Sequence, residues 1–374
     1  MRLIPFLILI YSYSSFAFFS EHSLLKLDPK YNVKSFVTQK DNSIICLVES
    51  NSETSSENEL SILKIDKMGQ QIWKKNLGYC APFIAGEITL TENNAILVFT
   101  NSRINETQRE SDYRIIKLNG NAEIIWDKKY GGNRNDYATT GVCLNDGNII
   151  VAGYSVSGKS FEKSEMGFGI IADIWILKLS KTGEIIWDKT YGGHGWDEPK
   201  KVIVTNENEI VILAQSETNV KSNANIGNKT QLGFGNYDSW LLKLNINGIK
   251  IWDKVYGAYN EESPISLIQS EDDGFIIAET TISENANKYG REVLILKIDK
   301  NGNQEWGKLF GGDKDDYVLD IVRTSKNEYM FTTSNKENGI YVVNIDLKGN
   351  LIWSKPIVDV DTINAKSRKL LQKK

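Results

Sequence analysis

Apolar and polar residues alternate with a period of two along most of the chain, and the alternation breaks at clusters of Gly, Asn and Asp. Residues 137–144 alternate and stop at Asn145-Asp146-Gly147. Residues 148–154 form a short run of the buried type, and a long polar stretch containing Gly leads to Ala172. Residues 173–179 alternate again, Lys181-Thr182-Gly183 turns the chain, and residues 184–191 end at Gly192-Gly193. Strict alternation bounded by turn residues is the signature of half-buried strands joined as hairpins. It predicts four antiparallel strands in this stretch. No helical period of useful length is found.

The same unit returns six times. Its anchor is a turn followed by Trp, at Trp73, Trp126, Trp187, Trp252, Trp306 and Trp353, with spacings of 53, 61, 65, 54 and 47 residues. In the second copy, Leu118-Asn119-Gly120-Asn121-Ala122-Glu123-Ile124-Ile125-Trp126, the Gly is shifted. A fixed local pattern at variable spacing means constant cores joined by loops of different length. Four strands per repeat point to propeller blades, because one blade cannot bury both of its faces and must pack on its neighbours. The expected fold class is all-β, a six-bladed β-propeller of four-stranded antiparallel blades over residues 31–359. The six Trp are assigned to inter-blade packing, where a large flat ring fills the gap between sheets and its N–H finds a carbonyl.

Leu177-Lys178-Leu179-Ser180-Lys181-Thr182-Gly183-Glu184-Ile185-Ile186-Trp187 resembles the repeat of PQQ-like β-propellers. Its extension, Trp187-Asp188-Lys189-Thr190-Tyr191-Gly192-Gly193, together with Val151-Ala152-Gly153-Tyr154, is similar to the bacterial secreted β-propeller repeat. The resemblance covers about residues 31–358. It implies architecture and says little of activity, since such repeats serve many proteins. Quinoprotein dehydrogenases of this kind have eight blades and a cofactor site with adjacent cysteines and calcium. Six blades without those features imply no cofactor and disfavour PQQ.

The termini and composition narrow the rest. Met1-Arg2, an apolar run over residues 3–10 and Ser15-Phe16-Ala17 have the three-part form of a secretory signal peptide. Residues 1–17 are therefore expected to be removed, residues 18–30 to form an amino-terminal segment, and the basic stretch 360–374 to be a flexible tail. The apolar run over residues 3–10 is too short to span a bilayer, which takes about 20 residues, and no other stretch comes near that length, so a secreted or periplasmic chain with no stable membrane insertion is expected. With 44 basic against 48 acidic residues there is no electrostatic footprint for nucleic acid. Three Cys make no disulfide framework, and two His leave little for a metal site. Cys46, Cys80 and Cys143 are assigned to packing. Asn105-Glu106-Thr107 and Asn228-Lys229-Thr230 match the glycosylation sequon.

Candidate chemistry falls on the loops. The longest connections between second and third strands, 155–172 and 216–238, belong to neighbouring blades and end alike, as Met166-Gly167-Phe168-Gly169 and Leu232-Gly233-Phe234-Gly235. Between them lies an unusual junction, His194-Gly195-Trp196-Asp197-Glu198. The ligand-binding set expected from this arrangement is His194, Trp196, Asp197, Glu198, Phe168, Phe234 and Tyr237. Acids recur at the other junctions, at Asp136, Glu261-Glu262 and Asp315-Asp316. Recurrence at equivalent places favours each acid capping its own Gly-rich turn over catalysis or cation binding, and no metal site or catalytic residue is assigned. The main functional expectation is a monomeric, exported, non-catalytic module that binds a protein or glycan partner. The alternative is a carbohydrate-active enzyme that uses carboxylates at the channel mouth.

Overall fold

The computed structural model describes residues 8–10, 17–20, 23–26, 31–51, 58–80, 86–103, 110–169, 171–217, 227–257, 261–283, 290–312, 314–325, 328–335 and 339–358. The basic tail expected over 360–374 lies outside the described residues. Among the described residues there is no helix. Six four-stranded antiparallel sheets follow one another along the chain, each in simple first-to-fourth order. The fold is all-β, a six-bladed β-propeller. A small three-stranded sheet, Ile8–Ile10, Ala17–Ser20 and Ser23–Lys26, precedes the blades.

The chain divides into two compact units. The first holds residues 1–204, 224–229 and 246–249, and the second holds 205–223, 230–245 and 250–374. Blade one begins at Tyr31–Thr38, blade two at Glu87–Leu90, blade three at Asp136–Cys143, blade four at Asp197–Val204, blade five at Glu262–Gln269 and blade six at Asp316–Ser325.

The core of the first unit lies between sheets. Strand Ile96–Arg103 shows why. Its Ile96 and Val98 join Ile45, Leu47 and Ile62 of blade one, while Leu97 and Phe99 join Val151, Trp175 and Leu177 of blade three. Alternate residues thus serve opposite interfaces, so a central strand is apolar on both faces and buried throughout. In the second unit, Ile276, Ala278, Val293 and Ile295 of blade five meet Ile321, Tyr329, Phe331 and Val343 of blade six in the same manner.

The recurrent Trp residues are half-buried rather than fully buried. Each of several lies against the last turn of the following blade. The Trp126 indole N–H donates to the Lys181 carbonyl at 3.2 Å. The rings of Trp187, Trp252 and Trp306 press on Gly248, Gly302 and Gly349, where an added Cβ would come within 3.1, 3.2 and 2.8 Å of ring carbons. Those glycines have φ between +74° and +85°, so Gly is required there for both conformation and space. Where the Gly is shifted in the second copy, Ala122 takes the left-handed conformation instead, at φ +63°.

A Tyr four residues after the Trp completes the clamp. Tyr130, Tyr191 and Tyr256 donate their hydroxyls to the carbonyls of Gly183, Gly248 and Gly302 at 2.7, 2.5 and 2.8 Å. The side chains buried completely are a different pair of tryptophans, Trp175 and Trp240, one on each of the third strands Asp173–Leu179 and Asp238–Leu244. Cys46, Cys80 and Cys143 are free thiols, the first two buried.

Candidate functional site

Three of the acids at the blade junctions are turn caps. Asp136, Asp197 and Asp316 accept the N–H of Gly132, Gly193 and Gly312 at 2.6, 2.8 and 2.7 Å. All three are buried, as is Glu262. The register explains their surroundings. In blade three the last row of the sheet reads Asp136, Ser155, Asp173. In blade five it reads Glu262, Thr281, Glu292. Each row is an acid, a hydroxyl and a second acid, followed by the glycine-containing turn that leads into the next blade.

The glycines allow a close approach. A Cβ on Gly192 would lie 2.0 Å from Asp173 Oδ1 and 2.9 Å from Asp197 Oδ2. Burial pushes Asp173 up to about 7, and the charge of Asp197 adds to it, against hydrogen bonds from the Phe168 and Gly169 amides that pull it down. Asp112, the equivalent residue of blade two, is pushed up to about 6 by burial, then by Asp136 and Glu162. In the second unit burial pushes Glu279 up to about 8, with Glu262 and Asp238 adding to it. The sequence pattern of the first strands points to junction acids alone. It misses the third-strand acids and Glu279, because their isolation from water is a tertiary property.

The two inserted loops are straps, each bonded to the last strand of its own blade. In blade three the Ser164 N–H and hydroxyl donate to Asp188 at 2.9 and 2.5 Å, and the Trp175 indole N–H reaches the same carboxylate at 3.0 Å. In blade four the Thr230 N–H and the Trp240 indole converge on Asp253 at 2.9 and 3.1 Å. The Phe168 and Phe234 amides donate to Asp173 and Asp238. Each strap also carries a buried lysine. Lys163 Nζ donates to Thr190 Oγ1 at 2.5 Å over the Trp175 ring. Lys229 lies 3.6 Å from Asp197. The common signal, Lys-Ser-Glu-Met-Gly-Phe-Gly against Lys-Thr-Gln-Leu-Gly-Phe-Gly, thus begins at the lysine, ahead of the Gly-Phe-Gly ending.

The expected ligand set divides accordingly. Asp197 is buried and accepts the Gly193 N–H of its own turn. His194 is exposed, Phe168 is half-buried against Gly227, and Phe234 is half-exposed. Tyr237 gives its carbonyl to the Glu262 N–H. Residues 218–226 of the second loop lie outside the described residues, as does Asn105 of the first sequon. The amide of Asn228, in the second sequon, donates to the Thr190 carbonyl at 3.0 Å.

Trp196 and Glu198 do come together, and with residues not foreseen. Both are partly exposed, as are Tyr137 and Tyr154. The Tyr137 and Tyr154 rings are 5.0 Å apart between centroids, and those of Tyr154 and Trp196 are also 5.0 Å apart. The Trp196 indole donates to Glu198 Oε2 at 3.3 Å, and Lys200 pairs with Glu198 Oε1 at 2.8 Å. Burial raises the Tyr154 hydroxyl well above its ordinary value, with the charge of Glu198 second. The result is a continuous aromatic surface ending at a fixed carboxylate beside an ammonium group. Tyr154 stands in the repeat motif, which hides its part in this surface.

Comparison with protein-family models gives no match, and comparison with curated proteins gives none either. Solved structures do match. The α-L-arabinofuranosidase Arb93A from Fusarium graminearum, in complex with an iminosugar inhibitor, is similar at 10% identity and TM-score 0.54, over 86% of this chain and 94% of its own. The GH93 α-L-arabinofuranosidase of the same organism with arabinobiose is similar at 9% identity and TM-score 0.53, over the same shares. A puromycin hydrolase mutant complexed with PGG is similar at 7% identity and TM-score 0.54, over 92% of this chain and 51% of its own. At these identities the likeness is one of fold. The expectation of a non-catalytic binding module is corrected by it: the neighbours of this fold include GH93 glycoside-cleaving enzymes, which back the carbohydrate-active alternative at the level of fold.

Proposed function

We propose that the chain is a carbohydrate-active enzyme that receives a glycan on Tyr137, Tyr154 and Trp196 and acts on it with Glu198. The observation that carries this reading is the aromatic surface with a carboxylate fixed at its end. The apolar face of a sugar ring stacks on such a surface, and the indole N–H holds the Glu198 carboxylate at its edge. Glycoside cleavage needs a carboxylate that attacks the sugar or activates water, and a second carboxyl that gives a proton to the leaving oxygen. Glu198 takes the first role.

The likeness of fold to the arabinofuranosidases supports pentofuranosides as the first substrates to try. Export through the amino-terminal segment belongs to the same proposal, since polysaccharide substrates lie outside the cell. Kinship with PQQ-like and secreted β-propeller repeats rests on the blade motif, and the monomer is the proposed working form.

The test is release of reducing sugar from arabinobiose, arabinan and a panel of other glycans. Cleavage is expected, Glu198→Gln should lower kcat by about 100-fold or more, and Trp196→Ala should raise KM far more than it lowers kcat. No cleavage of any glycan, or full activity in Glu198→Gln, would overturn the proposal.

A further inference from the structure

The strap of blade four places an amine against a carboxyl group in a site closed to water. Lys229 Nζ lies 3.6 Å from Asp197 Oδ1, and both side chains are completely buried. The backbone on each side is pinned. The Asn228 N–H donates to the Gly192 carbonyl at 3.2 Å, its Oδ1 accepts the Gly192 N–H at 3.0 Å, and its amide holds the Thr190 carbonyl. The Gly193 N–H donates to Asp197 Oδ2 at 2.8 Å, where it would steady negative charge developing on that oxygen.

A third group completes the set. Asp173 is 2% exposed, and its Oδ1 has no hydrogen-bond partner among the described residues. That oxygen approaches Asp197 over Gly192, the glycine at which the two carboxyls converge. Its Oδ2 accepts the Phe168 N–H at 2.9 Å, which leaves Oδ1 on the Gly192 side, toward Asp197.

We propose that Lys229 and Asp197 condense to an intramolecular amide cross-link, with Asp173 moving the protons. A buried ion pair is poorly solvated, and transfer of one proton from the ammonium to the carboxylate gives a neutral amine and a neutral acid at low cost in such surroundings. The Lys229 Nζ lone pair then attacks Asp197 Cγ. A C–N bond forms and the carbonyl π electrons pass to oxygen. Asp173 gives its proton to the departing hydroxyl and recovers one from the new nitrogen. The C–O bond breaks, water leaves, and Asp173 ends as it began. The net change is ion pair to amide plus water, with no oxidant, reductant or co-reactant. Fixed geometry supplies the rate, as it does for other well-oriented intramolecular reactions. The chain has only three cysteines, all free, and this bond would tie the strap to the first strand of its blade.

The experiment is a tryptic peptide map of the denatured full chain after folding. A branched peptide joining the Asp197 and Lys229 segments, lighter than their sum by one water and uncut after Lys229, is expected. Asp173→Asn should retain the folded far-ultraviolet spectrum and yield the two ordinary peptides instead. Two separate peptides at full mass from the folded wild-type chain would overturn the proposal, whatever Lys229 variants do to folding. A branched peptide undiminished in Asp173→Asn would overturn the proton-carrying role.

Discussion

Among aromatic residues, burial and recurrence point to different tryptophans. The six recurrent Trp are half-buried, several of them against the turns of the next blade, whereas Trp175 and Trp240 are shut in completely and bonded to Asp188 and Asp253. The cost of truncating a side chain grows with the apolar surface removed from the core and the cavity left behind. Trp175→Ala is therefore expected to cost about 3–5 kcal/mol, the range for large aromatic core truncations. Trp187→Ala should cost clearly less, because part of its ring already meets water. Urea unfolding of the two variants checks the order, and equal losses would contradict it. Trp175→Phe isolates the indole N–H: it keeps most of the packing and should cost about 1–3 kcal/mol, since Asp188 loses one of its donors.

At the scale of the element, one aspartate gathers several donors at each strap, Asp188 in blade three and Asp253 in blade four. Asp188 collects the Ser164 N–H, the Ser164 hydroxyl and the Trp175 N–H. An Ala in its place removes all of these acceptors. Asp188→Ala should leave the blades intact and loosen the strap. Amide exchange at Ser164 should accelerate while that of Ile174 and Ile176, within the sheet, stays slow. Unchanged exchange at Ser164 would show that the strap is held by other groups. The Trp-and-Tyr clamps work at the same scale. They join consecutive blades through the carbonyls of turns whose glycines no other residue could replace without strain.

For the whole molecule, the buried acids set the pH dependence. Asp112, Asp173 and Glu279 have folded-state values raised to about 6, 7 and 8, in each case chiefly by burial. A carboxyl whose folded value is raised binds its proton more tightly in the native state than in the unfolded one. Its contribution to stability is full below the ordinary carboxylate range. It declines as pH rises and is gone once pH passes the folded value. The chain should be most stable in mild acid and lose stability progressively up to about pH 8. Urea midpoints measured across this range check the slope. Glu279→Gln and Asp173→Asn should each flatten it, since neither replacement titrates. A midpoint that rises with pH would contradict the assignment.

The alternation of apolar residues, the turn signals and the six Trp determined the strands, their antiparallel order and the number of blades, because each of these depends on residues near in sequence and on a period of two. The capping role of Asp136, Asp197 and Asp316 was legible for the same reason: donor and acceptor stand four residues apart. Trp196 and Glu198 were visible as an unusual junction. Their partners Tyr137 and Tyr154 were not, since they belong to neighbouring strands whose side chains meet only when the sheet forms. Whether a carboxyl holds its proton was likewise invisible. Asp112, Asp173 and Glu279 read as ordinary acids in sequence, and removal from water, which is decided by everything packed around them, made them otherwise. The destination of the straps was settled by Asp188 and Asp253, on strands that follow the loops. Local pattern determined the blades, and packing between distant segments decided the site.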